Sequence, residues 1–100
     1  MKRLQLEIPH GKIAAFCRKH HILKLSFFGS ILRDDFNRDS DIDVLVEFEP
    51  EHIPGLAFFR MQEELSEILG HKVDLNTRNF LSRYFRDQVL SEAEELYSAA

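Results

Sequence analysis

Three aspartates and one Gly-Ser pair are the residues of this chain whose types and spacing suit chemistry. Asp41 and Asp43 flank Ile42 at the head of the run Asp41-Ile42-Asp43-Val44-Leu45-Val46-Glu47-Phe48. In a strand, alternate residues share a face, so these two carboxylates stand side by side with Cα atoms about 6.6 Å apart. Ile42, Val44, Val46 and Phe48 take the other face. Aspartate is a poor strand former, so two of them in an otherwise apolar strand need a reason. Carboxylates so placed can converge on a pair of metal ions about 3.5–4 Å apart. Mg²⁺ favours such oxygen ligands and completes its shell with water and phosphate oxygens. Asp74, set between Val73 and Leu75, joins the cluster if its strand lies beside the first. Upstream, Phe28-Gly29-Ser30 marks the change from a strand to a short helix. Free N–H groups at a helix start, a glycine without a Cβ and a serine hydroxyl together make a phosphate cradle. Taken singly, each piece is more often a capped turn or a solvated acid; in combination they point to phosphate chemistry.

The elements that must position these groups follow from periodicity. Residues 9–20 read as a helix, with Pro9 early and Ile13, Ala14, Phe16 and Cys17 on its apolar side. Residues 23–28 read as a strand with Leu23, Leu25 and Phe27 on one face, and residues 30–34 as a short helix capped by Ser30. Residues 41–48 are the second strand. Pro50 and Pro54 bracket a loop. A helix over 56–69 carries Phe58, Met61, Leu65, Ile68 and Leu69 in one stripe, with Gly70 just past its end. Residues 72–76 form a third strand, with Asp74 facing away from Val73 and Leu75. A last helix over 79–92 carries Leu81, Phe85 and Val89; residues 93–100 either extend it or add a strand. The order is αβαβαβα, an α/β (α+β) arrangement around a small mixed sheet, with helices covering one face and the Asp face left open.

Composition sets the bounds. The chain has 100 residues, 44% hydrophobic and 30% charged, with a formal net charge of −4, the profile of one globular domain over residues 1–100. The acidic balance disfavours direct nucleic-acid binding. No apolar run reaches the roughly 20 residues of a membrane span, and the single cysteine, Cys17, fits a reducing, cytoplasmic setting. Cys17 reads as a buried thiol, and His20-His21 as cations at a helix end. His10, His52 and His71 are scattered without ligand spacing. Phe58-Phe59 and Tyr84-Phe85 read chiefly as core.

Gly29-Ser30, ten residues (Ile31 to Ser40), Asp41-Ile42-Asp43 and the later Asp74 resemble the signature of the DNA polymerase β nucleotidyltransferase superfamily. The chain is most similar to its minimal nucleotidyltransferases, along nearly the whole length. The resemblance implies transfer of AMP from ATP with two Mg²⁺ ions. Asp41, Asp43 and Asp74 would be the metal ligands and catalytic residues, Asp74 the candidate base, and Gly29 and Ser30 the nucleotide-binding residues. Family members of this size are typically partnered with a HEPN-domain toxin, so the resemblance implies an antitoxin that modifies its toxin on a hydroxyl, plausibly of tyrosine. The alternative is an antitoxin that neutralises its partner by binding alone. Where relatives often have Arg-Gly, this chain has Arg33 followed by Asp34-Asp35, an acidic departure beside a triphosphate site.

Overall fold

A computed structural model describes residues 8–33 and 36–99. Helix α1 (His10–Lys19) buries Ile13, Phe16 and Cys17, the spacing of one helical stripe. Strand β1 (Ile22–Phe28) follows, then a four-residue 3₁₀ turn (Gly29–Leu32), and strand β2 (Ile42–Phe48). Helix α2 (Ala57–Leu69) leads to strand β3 (Val73–Thr77), and a 3₁₀ turn (Arg78–Phe80) precedes helix α3 (Arg86–Glu92) and strand β4 (Glu94–Ser98). The sheet order is β3-β2-β1-β4. Pairs β1–β2 and β1–β4 are antiparallel and β2–β3 is parallel. The parallel pair needs a long crossover, which α2 supplies.

Helix α2 forms where its stripe predicts it and buries Phe58, Met61, Leu65 and Leu69; it stops at Gly70, whose φ of 65° is left-handed. Its polar residues also finish the sheet. Gln62 Oε1 accepts from the Leu75 N–H at 2.8 Å, and Ser66 Oγ accepts from the Val73 N–H at 3.0 Å. Edge donors of β3 are thereby satisfied within the chain. At the other end of the layer, Glu64 of α2 accepts from Lys19 Nζ at 2.7 Å and from His20 Nε2 at 2.9 Å, tying the end of α1 to α2. The core lies between these two helices and the sheet face formed by Ile22, Leu25, Phe27, Ile42, Val44, Val46, Val73 and Leu75. Helices on one face of a small mixed sheet is the expected architecture.

Several expectations change. The helix expected over 30–34 is the 3₁₀ turn, and Ser30 does not cap it: Phe28 precedes the turn and no side-chain cap bond forms. A positive φ at Gly29 sets a tight corner instead of a helix entry. Leu23 is exposed, because an irregularity in β1 between Ile22 and Lys24 turns Ile22 inward in its place. The helix expected over 79–92 is broken. Leu81 is extended, and Arg86 holds the carbonyls of Arg78 (3.1 Å) and Leu81 (3.2 Å), so α3 begins only at Arg86. Of the Leu81, Phe85, Val89 spacing, Leu81 and Val89 are only partly buried and Phe85 is exposed, and Tyr84 and Phe85 are both exposed rather than core. Residues 94–98 become a fourth strand because β1 offers a free edge. The Asp-bearing sheet face is not open throughout: Leu45, Ser26 and Phe28, adjacent across β1 and β2, are buried there.

Candidate active site

The strand registers decide which carboxylates meet. Asp43 on β2 lies opposite Asp74 on β3 in the parallel pair, and opposite Phe28 on β1. Asp43 and Asp74 share a side-chain hydrogen bond, and Asp41 is close enough for its charge to act on the same carboxyl. All three aspartates singled out in the sequence therefore converge. Gly29 stands directly against them. It follows Phe28, has φ +75°, and a Cβ built on it would collide with the Asp43 carboxylate and lie 3.2 Å from its Cγ. Two separate requirements, a left-handed backbone and the absence of a side chain, converge on glycine here. Ser30 is the next residue of the turn, half-buried, and its carbonyl accepts from the Arg33 N–H at 2.9 Å.

Electrostatics at this cluster are unfavourable in the absence of cations. The Asp43 carboxyl is raised from 3.8 to about 6, chiefly by burial, then by the charges of Asp74 and Asp41 and the hydrogen bond with Asp74; Arg33 pulls the other way. The guanidinium of Arg33 is thus near enough to act on Asp43, while Asp34 and Asp35 lie outside the described residues. Lys72 Nζ sits 3.9 Å from Asp41 Oδ2, with both groups exposed. An exposed pair of this kind offsets little of the repulsion. Three carboxylates, one of them with its pKa raised to about 6, form a donor set suited to a hard divalent cation.

Sequence reasoning passed over His71. Its Nε2–H donates to the Ser40 carbonyl, and its ring packs on Phe36 at 5.3 Å between centroids. This anchors the turn immediately before Asp41, where Ser40 N–H also donates to the Asn37 carbonyl at 3.0 Å. A histidine one residue after Gly70 carried no signal of that role. The histidines are also less scattered than they read: His21 and His52 come together with Glu49, at the far end of the β1–β2 pair from the aspartates.

Residues 11–96 match the nucleotidyltransferase domain family. A Methanocaldococcus jannaschii relative, described as a candidate protein adenylyltransferase, is 39% identical over 85% of this chain and 90% of its own length. The protein adenylyltransferase MntA of Thermococcus cleftensis is 38% identical over 71% of each. Among solved structures, a candidate minimal nucleotidyltransferase is 33% identical, covering 84% of this chain and 85% of that one, with TM-score 0.69. Two more share the fold at lower identity. One is a toxin–antitoxin complex with AMP-PNP (24% identical, TM-score 0.72, 91% of this chain and 74% of that one). The other holds a tri-AMPylated Shewanella oneidensis HEPN toxin with its MNT antitoxin (23% identical, TM-score 0.64, 90% of this chain and 70% of that one). The chain belongs to the nucleotidyltransferase domain family, among the minimal nucleotidyltransferases. Its reaction class is nucleotidyl transfer.

Proposed function

We propose that the chain transfers AMP from ATP to a hydroxyl of a partner HEPN-type toxin, a tyrosine being the acceptor, and so acts as that toxin's antitoxin. The observation that carries this reading is the packing of Asp43 between Gly29 and Asp74, with Asp41 acting on the same carboxyl. Asp41, Asp43 and Asp74 are the residues that would hold two Mg²⁺ ions. When bound, the ions supply charge neutralisation of the leaving pyrophosphate and acidification of the attacking hydroxyl.

The chain's own residues do the rest. Gly29 keeps the corner after β1 bare, so phosphate oxygens can approach the backbone of the turn. Ser30 adds a hydroxyl donor beside it. Asp74, on β3 beside Asp43, would take the acceptor's proton. Arg33 offers a cation near the same carboxyls. Positioning the acceptor falls to the partner, whose hydroxyl must be held in line with the α-phosphorus for rate. The relatives named for protein adenylylation, and the AMPylated toxin bound to a protein of the same fold, support a protein acceptor.

The test is to incubate the chain with ATP, Mg²⁺ and a HEPN-type toxin, and to read the intact mass of both. The expected outcome is that the partner gains AMP units and that EDTA prevents it. A partner that binds, is neutralised and never gains mass, with Asp43→Asn equally effective, establishes inhibition by binding alone.

A further inference from the structure

We infer that His21, Glu49 and His52 form a second metal site, for a borderline divalent ion such as Zn²⁺, separate from the aspartate cluster. His21 is far in sequence from Glu49 and His52 and meets them because β1 and β2 pair antiparallel, with Ile22 opposite Phe48. His21 is the residue before β1 and Glu49 the residue after β2. The Glu49 N–H donates to the His21 carbonyl at 2.9 Å, and the His52 N–H donates to the Glu49 carbonyl at 2.9 Å. Two backbone bonds thus fix the three Cα positions relative to one another. One potential ligand atom from each side chain lies within 4.8 Å of the other two.

The plainer reading is an ordinary surface ion pair with a stacked neighbour. The geometry argues against its sufficiency. His21 Nδ1 and Glu49 Oε2 are 3.6 Å apart, too far for a good hydrogen bond. That separation is close to the edge of a tetrahedron around zinc, about 3.4 Å for bonds of about 2.0–2.1 Å. His21 and His52 stack at 3.7 Å between centroids and 13° between planes; rings so nearly parallel do not aim both nitrogens at one ion, so one exposed imidazole must turn about its side-chain bonds for the two to share it. His21 also adopts φ 58°, a left-handed conformation that is uncommon for a residue other than glycine and is retained where surroundings over-determine it. Two imidazoles and one carboxylate are a donor set that zinc takes with water in the remaining position, and that Mg²⁺ does not favour. The seven residues of β1 separate this cluster from the Gly29 corner, about 25 Å along the strand, so the two sites cannot share an ion.

The ion would pin the segment that leaves β2 and enters α2. Ile53 and Leu56, both exposed, lie on that segment. Ile53 and Pro54, with Phe58, Phe59 and Phe80, wall an apolar cavity of about 220 Å³. Zinc would therefore stiffen one wall of that cavity without touching the aspartates.

The experiment uses the full chain without a histidine tag, stripped by chelator and held in excess Mg²⁺ to occupy the aspartate cluster. Zn²⁺ is titrated against a chromophoric chelator, and melting is followed in parallel. The expected result is one zinc per chain. Melting should rise by on the order of 10 °C at a hundredfold excess over Kd. His52→Ala, on an exposed loop, should weaken zinc binding by roughly 100-fold or more, since even outer-shell partners of a metal ligand contribute 10–100-fold. Asp43→Asn should leave it within about twofold, because distant sites are independent. The proposal is overturned if wild type takes up no zinc, if His52→Ala and Glu49→Gln bind it as wild type does, or if Asp43→Asn is the variant that loses it.

Discussion

Alternate residues of β2 face opposite environments. Ile42, Val44 and Val46 are at most 1% exposed against α1 and α2, where apolar area removed from water holds the fold together. One residue away on the other face, Asp43 is half-buried among like charges and keeps its carboxyl raised to about 6. The first face contributes stability and has no charge to spend on chemistry. The second is destabilised in isolation and becomes favourable when cations arrive. A strand's two-residue period lets a chain of this size place both functions on the same backbone.

Substitutions on the two faces should therefore separate. The largest effect is expected on the aspartate side: Asp43→Asn lowers AMP transfer by roughly 1,000-fold or more, the loss of several kcal/mol of charge stabilisation. Its fold should survive, as the far-ultraviolet spectrum and a cooperative melt would show. Turnover near wild type would remove Asp43 from the chemistry. On the core side, Leu65→Ala in α2 should cost about 2–5 kcal/mol in urea unfolding, while transfer per folded molecule changes little. A parallel fall in specific activity would mean that the faces are coupled.

Gly29→Ala tests the corner where the two faces meet. A left-handed backbone with a side chain costs about 1–3 kcal/mol, and the added methyl also displaces the Asp43 carboxylate. Both stability and transfer should drop, which neither of the preceding variants does. A variant as stable and active as wild type would show that the corner tolerates a Cβ.

The smallest effect is a dependence on pH. The folded carboxyl of Asp43 is raised above its ordinary value, so the folded state binds a proton more tightly than the unfolded state does. The stability this contributes is complete below about pH 4 and is lost as pH rises through about 6. Allowing for partial exposure, the loss is about 1 kcal/mol. In EDTA, urea midpoints of wild type and Asp43→Asn should converge at pH 4, and the variant should be the more stable at pH 7.5. Parallel curves at every pH would show that Asp43 carries no such strain.

The features legible in the sequence were those set by local period. The stripe of α2, its end at Gly70 and the alternation of β2 are all local, and they appear as read. The three aspartates also meet as read, because two adjacent strands were enough to bring them together. Features that depend on distant partners were not legible. Residues 94–98 are strand because β1 has an edge to pair with, and the stripe at Leu81, Phe85 and Val89 does not run as one helix because Leu81 is extended and α3 begins only at Arg86. The meeting of His21 with Glu49 and His52 depends on strand register, which spacing along the chain does not reveal. Glycine at position 29 was read as room for phosphate; its contact with Asp43 adds a second reason that only the packed structure shows.

The bonds from Gln62 and Ser66 to the amides of β3 give the sheet a direction of growth. Among the described residues, no strand lies beyond β4 in the sheet order. An outside strand needs unpaired backbone donors as its template, and at β3 two of them, on Val73 and Leu75, are already taken by side chains of α2. Growth on the β3 side is therefore opposed at those two positions.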